Sequence, residues 1–309
     1  MKTGIFLSYK GLGANLLHLS YCHQIAKKFG PVTLITLCPN LNKVLKDDPF
    51  ISDVVHLSKF HRKFFDVFKL SKFLKDLNFD TIFIYYPSLR HYLASKIAGI
   101  KNIYHYPLFR KKNLHLVNVA KSFTERSLKI ENCPTETEIY INNNNSVKQF
   151  KSNDLKKIIL GIGSSGPTTK WGYDNYASLI KKLNEIGEYY FYLLCGPDEE
   201  SGAQKIINQV KKKNCESLSS KDVYEVMYFI HLSEIFVGND SFGHHISAQM
   251  KKPSFIILLD SPKAYSDYSK NQFRIIPPNI DIKKISHGSN LNPNTITVDM
   301  IIEKIKRFI

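Results

Sequence analysis

Short apolar runs rich in Val, Ile, Phe and Tyr alternate along the chain with longer segments whose apolar residues recur every three or four positions. The first pattern predicts strands buried on both faces, the second amphipathic helices. In the first half strands are predicted at 4–8, 32–37, 54–57, 81–85 and 102–106, and helices near 15–29, 41–46, 64–77, 89–98 and 116–128. The pattern restarts with a strand at 157–161, a helix near 174–185, a strand at 189–194, helices near 203–213 and 221–232, and a closing helix at 298–309. Such alternation builds open parallel sheets. The asparagine run 142–145 and the polar stretch to 154 read as the link. The expected fold class is α/β, with two Rossmann-like domains, residues 1–150 and 151–309, facing a cleft and holding ligands beyond the strands' carboxyl ends.

The stretch 236–262, FVGNDSFGHHISAQMKKPSFIILLDSP, carries the densest candidate chemistry. An apolar strand runs into Gly238-Asn239-Asp240-Ser241, where a helix is expected to start, capped by Asp240 or Ser241, with His244 and His245 in its first turn. A second strand, 253–259, ends at Asp260-Ser261-Pro262. Free N–H groups at such a helix start, with their partial positive charge, suit a phosphate-bearing ligand. The same segment equally fits an ordinary capped strand-helix-strand unit.

At 309 residues and 43% hydrophobic, the chain is long enough for two cores. It contains no run of 18 apolar residues and opens directly as a strand, without a basic-apolar-small leader, so a soluble intracellular protein is expected. Cys22, Cys38, Cys133, Cys195 and Cys215 are scattered, with no C-x-x-C pair, which indicates neither a disulfide framework nor a zinc site. The charge is uneven. Residues 1–150 carry 22 Lys and Arg against 10 Asp and Glu, whereas the remainder carries 21 against 17. The densest stretch, 59–75, places Phe60, Phe64, Val67, Phe68 and Leu74 near one helical face with Arg62, Lys63, Lys69 and Lys72 interleaved. That suits an anionic membrane surface or an anionic acceptor, and it suits equally a core helix with a solvated lysine face. No nucleic-acid-binding motif accompanies the charge.

Four segments in order carry a resemblance. They are Gly11-Leu12-Gly13 at the first strand-helix turn, Gly163-Ser164-Ser165-Gly166-Pro167-Thr168-Thr169-Lys170-Trp171, Gly196-Pro197-Asp198-Glu199-Glu200, and Gly238-Asn239-Asp240-Ser241 followed by Pro253 and Asp260-Ser261-Pro262. Together they resemble glycosyltransferase family 9, the ADP-heptose:lipopolysaccharide heptosyltransferases of GT-B fold.

The resemblance implies an inverting, metal-independent transfer of a sugar, a heptose or a relative of it, from a nucleotide-diphosphate sugar, expected to be an ADP-sugar. The acceptor would be a lipopolysaccharide-type glycan at the inner face of the membrane. No cofactor is expected. The donor belongs to the second domain and the anionic acceptor to the basic first one. Charge developing on the departing diphosphate would be met by Lys170, by the Ser241 hydroxyl and by the N–H groups of Ser241, Phe242 and Gly243. Gly13, Ser164, Ser165, Asp240 and His245 take the family's binding positions, and Glu199 would accept from ribose hydroxyls.

Two departures stand out. Ala14 occupies the position of the family's aspartate base, and a methyl group accepts no proton. His18, one helical turn on, is the candidate replacement because its ordinary pKa lies near neutrality. Phe242 stands where the family has glycine, with Gly243 next. A catalytically silent nucleotide-sugar or glycan binder, and a nucleotide-sugar epimerase of similar fold, remain the alternatives.

Overall fold

The computed structural model describes residues 1–57, 66–107, 115–142, 155–164, 169–211 and 213–309. The chain forms two compact units, Met1–Tyr140 and Ile141–Ile309. Most of the expected linker, residues 143–154, lies outside the described residues.

Unit 1 runs β1 (Thr3–Leu7), α1 (Leu12–Leu16), α2 (Leu19–Phe29), β2 (Val32–Thr36), α3 (Leu41–Val44), β3 (Ile51–His56), α4 (Val67–Leu77), β4 (Thr81–Ile84), α5 (Leu89–Ile97), β5 (Asn102–His105) and α6 (Leu116–Leu128). Its five strands stand in the order β3-β2-β1-β4-β5, all parallel. Every residue of β1, β2 and β4 is buried, which explains their unbroken apolar runs. Phe6, Ile35, Leu57, Leu70, Leu74, Ile82 and Ile84 form the core under α4 and α5.

Unit 2 runs β6 (Lys156–Gly161), α7 (Tyr173–Ile186), β7 (Tyr189–Leu194), α8 (Glu200–Val210), β8 (Cys215–Ser217), α9 (Val223–Leu232), β9 (Ile235–Asn239), α10 (Phe242–Gln249), β10 (Ser254–Ile257), β11 (Gln272–Ile275) and α11 (Val298–Ile305). The order is β11-β10-β9-β6-β7-β8, again parallel. In each unit the first strand lies beside the fourth, so successive crossovers depart in opposite directions from that pair. Open α/β sheets bind ligands at such a reversal, beyond the carboxyl ends.

Several expectations need adjustment. The helix expected over 15–29 is two pieces, α1 and α2, with His18 at the junction as the residue before α2. Strands β8 and β11 went unpredicted: one is three residues long and the other, QFRI, is half polar. Phe68 does not join the apolar stripe of α4. Val67, Leu70 and Leu74 are buried there, whereas Phe68 is 67% exposed. Phe60, Arg62, Lys63 and Phe64 lie outside the described residues. Among the described residues no helix is long and apolar enough to cross a membrane.

Candidate functional site

In unit 2 the residues singled out from the sequence stand on loops leaving the carboxyl ends of β6, β7, β9 and β10. β6 and β9 meet through two glycines, Gly161 opposite Gly238. A Cβ on Gly238 would stand 2.5 Å from the Gly161 backbone, so any larger residue would part the two strands. Asn239 then joins their loops. It accepts the Trp171 N–H at 3.0 Å and donates to the Ile162 carbonyl at 2.8 Å. Asp260, beyond β10, accepts the Thr169 N–H at 2.5 Å.

Lys170 is paired with Glu199. The same carboxylate accepts the Gly196 N–H at 3.1 Å and the Ser164 N–H at 3.3 Å, linking the loops after β6 and β7. Gly163 faces this carboxylate so closely that a Cβ there would overlap it. Glu199, expected on ribose hydroxyls, thus has its oxygens engaged within the loops. Ser165 lies outside the described residues.

α10 starts without a side-chain cap. Ser241 occupies the N-cap position in extended conformation, and its buried Oγ has no hydrogen-bond partner. Asp240 does not cap either, because His244 Nε2 draws its carboxylate to 2.7 Å. The first N–H groups of an eight-residue helix and a free hydroxyl therefore stand together, a ready anion site. Phe242 opens the helix. Gly243 is needed for packing, since a Cβ there would come within 2.5 Å of Leu194. Gly243 thus serves the contact of α10 with the sheet.

The two histidines are buried and stacked, ring centroids 3.9 Å apart. Gln272 Oε1 accepts the N–H groups of Tyr268 and Ser269, both at 3.2 Å, so its Nε2 donates to His244 Nδ1 at 3.3 Å. That fixes the tautomer: His244 carries its proton on Nε2 and donates it to Asp240. His245 Nδ1 meets the Tyr268 hydroxyl at 2.7 Å. Burial pushes His245 well below the ordinary histidine pKa, a charge gained by His244 would push it the same way, and Asp240 opposes. Packing around the Asp240 carboxyl pushes it upward, but His244, His245 and Ser261 outweigh this and hold it at about 2. Asp240, His244 and His245 also offer ligand atoms within 4.8 Å of one another, close enough to share an ion. In the arrangement described, the His244 lone pair that would serve an ion on the Asp240 side carries a proton instead.

In unit 1 the loop after β1 is held by Asn15. Its Nδ2 donates to Gly11 O at 2.7 Å and Tyr9 O at 3.1 Å, and its Oδ1 accepts from Thr36 Oγ1 at 2.7 Å. Gly13 lies within α1, its carbonyl accepting the Leu17 N–H at 2.9 Å. His18 is fully buried, with Nδ1 2.7 Å from the Ala14 carbonyl and its ring stacked on Tyr9 at 4.8 Å. The ring faces inward, in a stretch where every residue from 15 to 23 is buried. An imidazole so enclosed is poorly placed to take a proton from a substrate.

Residues 102–277, more than half of the chain, match the family Glycosyltransferase family 9 (heptosyltransferase). The chain belongs to that family. Among solved structures it is similar to E. coli ADP-heptose lps heptosyltransferase II, at 15% identity and TM-score 0.74, covering 100% of this chain and 98% of that one. It is likewise similar to a family 9 glycosyl transferase from Veillonella parvula, at 14% identity and TM-score 0.78, covering 99% and 96%. The E. coli heptosyltransferase WaaC with ADP matches at 14% identity and TM-score 0.75, over the whole of both chains. No curated protein sequence matches. The two parallel sheets are those of the GT-B fold of these glycosyltransferases.

For this family 9 chain, sequence motifs named Lys170, Glu199, Asp240 and Ser241 on neighbouring loops and turns and His245 in the first turn of α10, but they missed what holds those loops. Asn239 and Asp260 sat inside the motifs as unremarked positions. Tyr268 and Gln272 lay outside any motif and gave no signal.

Proposed function

We propose that the chain is a glycosyltransferase that takes a nucleotide-diphosphate sugar, an ADP-sugar, in unit 2 and passes the sugar, a heptose or a relative of it, to a glycolipid acceptor of lipopolysaccharide type at unit 1. The observation that carries the reading is the uncapped start of α10, where an unpartnered Ser241 hydroxyl stands beside free backbone N–H groups at the strand reversal of sheet 2. These donors favour the diphosphate as its negative charge grows while the bond to the sugar's anomeric carbon breaks. Lys170 adds a cation once it exchanges Glu199 for phosphate oxygens, and Glu199 is then released toward ribose. The reaction is inverting: the acceptor hydroxyl attacks the anomeric carbon from the face opposite the diphosphate as the bond to the diphosphate breaks, and the hydroxyl proton passes to water. It requires no metal in this reading, because backbone and side-chain donors carry the leaving charge.

Calorimetric titration with ADP tests the donor site. The native chain is expected to bind, and Lys170→Ala to bind at least tenfold more weakly. Equal affinity in both would remove this site from the reading.

One specific observation favours a second reading. Ala14 offers no base and His18 is enclosed, so a chain that binds nucleotide sugar without transferring it fits the same site. Acceptor-dependent release of nucleoside diphosphate separates the two.

A further inference from the structure

The outer helical layer of unit 1 leaves large apolar side chains in water; Ile97 stands alone at the far end of α5, and three others share the opposite end. α4 and α5 pack side by side over the same face of the sheet. Both are crossovers between parallel strands, so both begin at the sheet's carboxyl edge, the edge that also carries the first glycine loop. Phe68, second residue of α4, is 67% exposed; Leu89, first residue of α5, 49%; Tyr86, on the loop between β4 and α5, 38%. The packing of α4 along α5 brings their two starts to the same edge, where burial lowers the Arg90 pKa and the nearby Asp66 and Tyr86 oppose it. The Tyr86 ring also lies edge-on to Tyr9, beyond β1, at 5.9 Å.

Two lysines stand on the α4 side of this group. Lys69 and Lys72 are exposed on the first turns of α4, with Lys69 3.8 Å from Asp66. Residues 1–150 carry 22 basic against 10 acidic side chains. Exposed aromatic and leucine side chains flanked by lysines match the zone where lipid headgroups meet acyl chains.

We propose that the shared start of α4 and α5 docks on an anionic lipid bilayer, with Phe68, Leu89 and Tyr86 entering the interfacial zone and Lys69 and Lys72 meeting lipid phosphates. The proposal rests on the reading of the acceptor as a membrane-borne glycan, and it would hold the carboxyl edge of sheet 1 close to such an acceptor. A second copy of the chain would bring like charge against like. A nucleic acid would satisfy the lysines and leave Leu89 without a partner.

The test uses the full chain carrying Phe68→Trp, with vesicles of phosphatidylcholine alone or mixed with phosphatidylglycerol. The one native tryptophan, Trp171, is fully buried in unit 2 and gives a constant background. On anionic vesicles at low salt the new tryptophan is expected to shift to shorter wavelength and to be quenched by lipids brominated on their acyl chains, the effect fading with added salt. No shift or quenching on anionic vesicles, or equal effects on neutral ones, would overturn the proposal. The double variant Phe68→Ser, Leu89→Ser is expected to partition about tenfold or more weakly, since each lost side chain removes buried apolar area. Unchanged partitioning would likewise overturn it. Calorimetry with ADP on the same variants keeps the two readings apart: vesicle docking without nucleotide binding sinks the donor site alone, and nucleotide binding without docking sinks this surface alone.

Discussion

Asn239 accepts the Trp171 N–H at 3.0 Å while its own amide reaches the Ile162 carbonyl at 2.8 Å, so one buried side chain closes the gap between the loops after β6 and β9. Both partners are backbone groups without water to replace it. Asn239→Ala is therefore expected to destabilise unit 2 by roughly 2 kcal/mol or more, because two buried polar groups lose their partner. Urea unfolding measures this; an unchanged midpoint would mean that the loops are held elsewhere.

Lys170 and Asp240 differ in what their loss should do. Lys170→Ala removes a cation from the proposed diphosphate and should weaken nucleoside diphosphate binding by about 1.5–3 kcal/mol. Asp240→Ala should weaken it too, through disorder of the turn that His244 and Ser261 anchor to it. Titration calorimetry on both variants checks this, and full affinity in both would exclude the turn as a phosphate site.

The Asp240 carboxyl is held at about 2, below its ordinary 3.8. A lowered carboxylate pKa means that the folded state binds fewer protons, so the stabilisation is complete above the ordinary value and disappears as pH falls through about 2. Asp240→Asn should be less stable than the native chain at neutral pH, by something on the order of 2 kcal/mol, and the difference should close between about pH 4 and pH 2. Unfolding series across that window would show it. A pH-independent difference would mean that the charge plays no part.

His18, fully enclosed with its Nδ1 at the Ala14 carbonyl, is placed as a packing residue. His18→Ala should therefore cost stability, while any turnover of the folded variant stays within about tenfold of native, short of the 10²–10⁴ loss of a missing general base. Ala14→Asp should raise transfer by restoring a carboxylate beside the first glycine loop. Turnover measured on both variants decides it: a collapse in His18→Ala with donor affinity intact would return the imidazole to the chemistry.

The sheets were legible because parallel strands buried on both faces leave continuous apolar runs, as in β1 and β7. Boundaries and special turns were less so. Near the break between α1 and α2, Asn15 binds back to Gly11 and Tyr9 and forward to Thr36, and the last of these contacts is one that no local pattern encodes. Nor does the spacing of His18 from Ala14, one turn along the same helical face, reveal that this face is buried. At the candidate site the motifs named the side chains on the rims of four loops. Gln272 and Tyr268, which set the states of His244 and His245, lie at and just before a strand too short to announce itself.

The most direct test of the account is release of nucleoside diphosphate from ADP-heptose and related nucleotide sugars, measured with and without a lipopolysaccharide core acceptor. Release that requires the acceptor, transfers the sugar to it, and falls sharply in Lys170→Ala is the predicted result. No release from any donor in the presence of acceptor, or conversion of the sugar while it stays on the nucleotide, would contradict it.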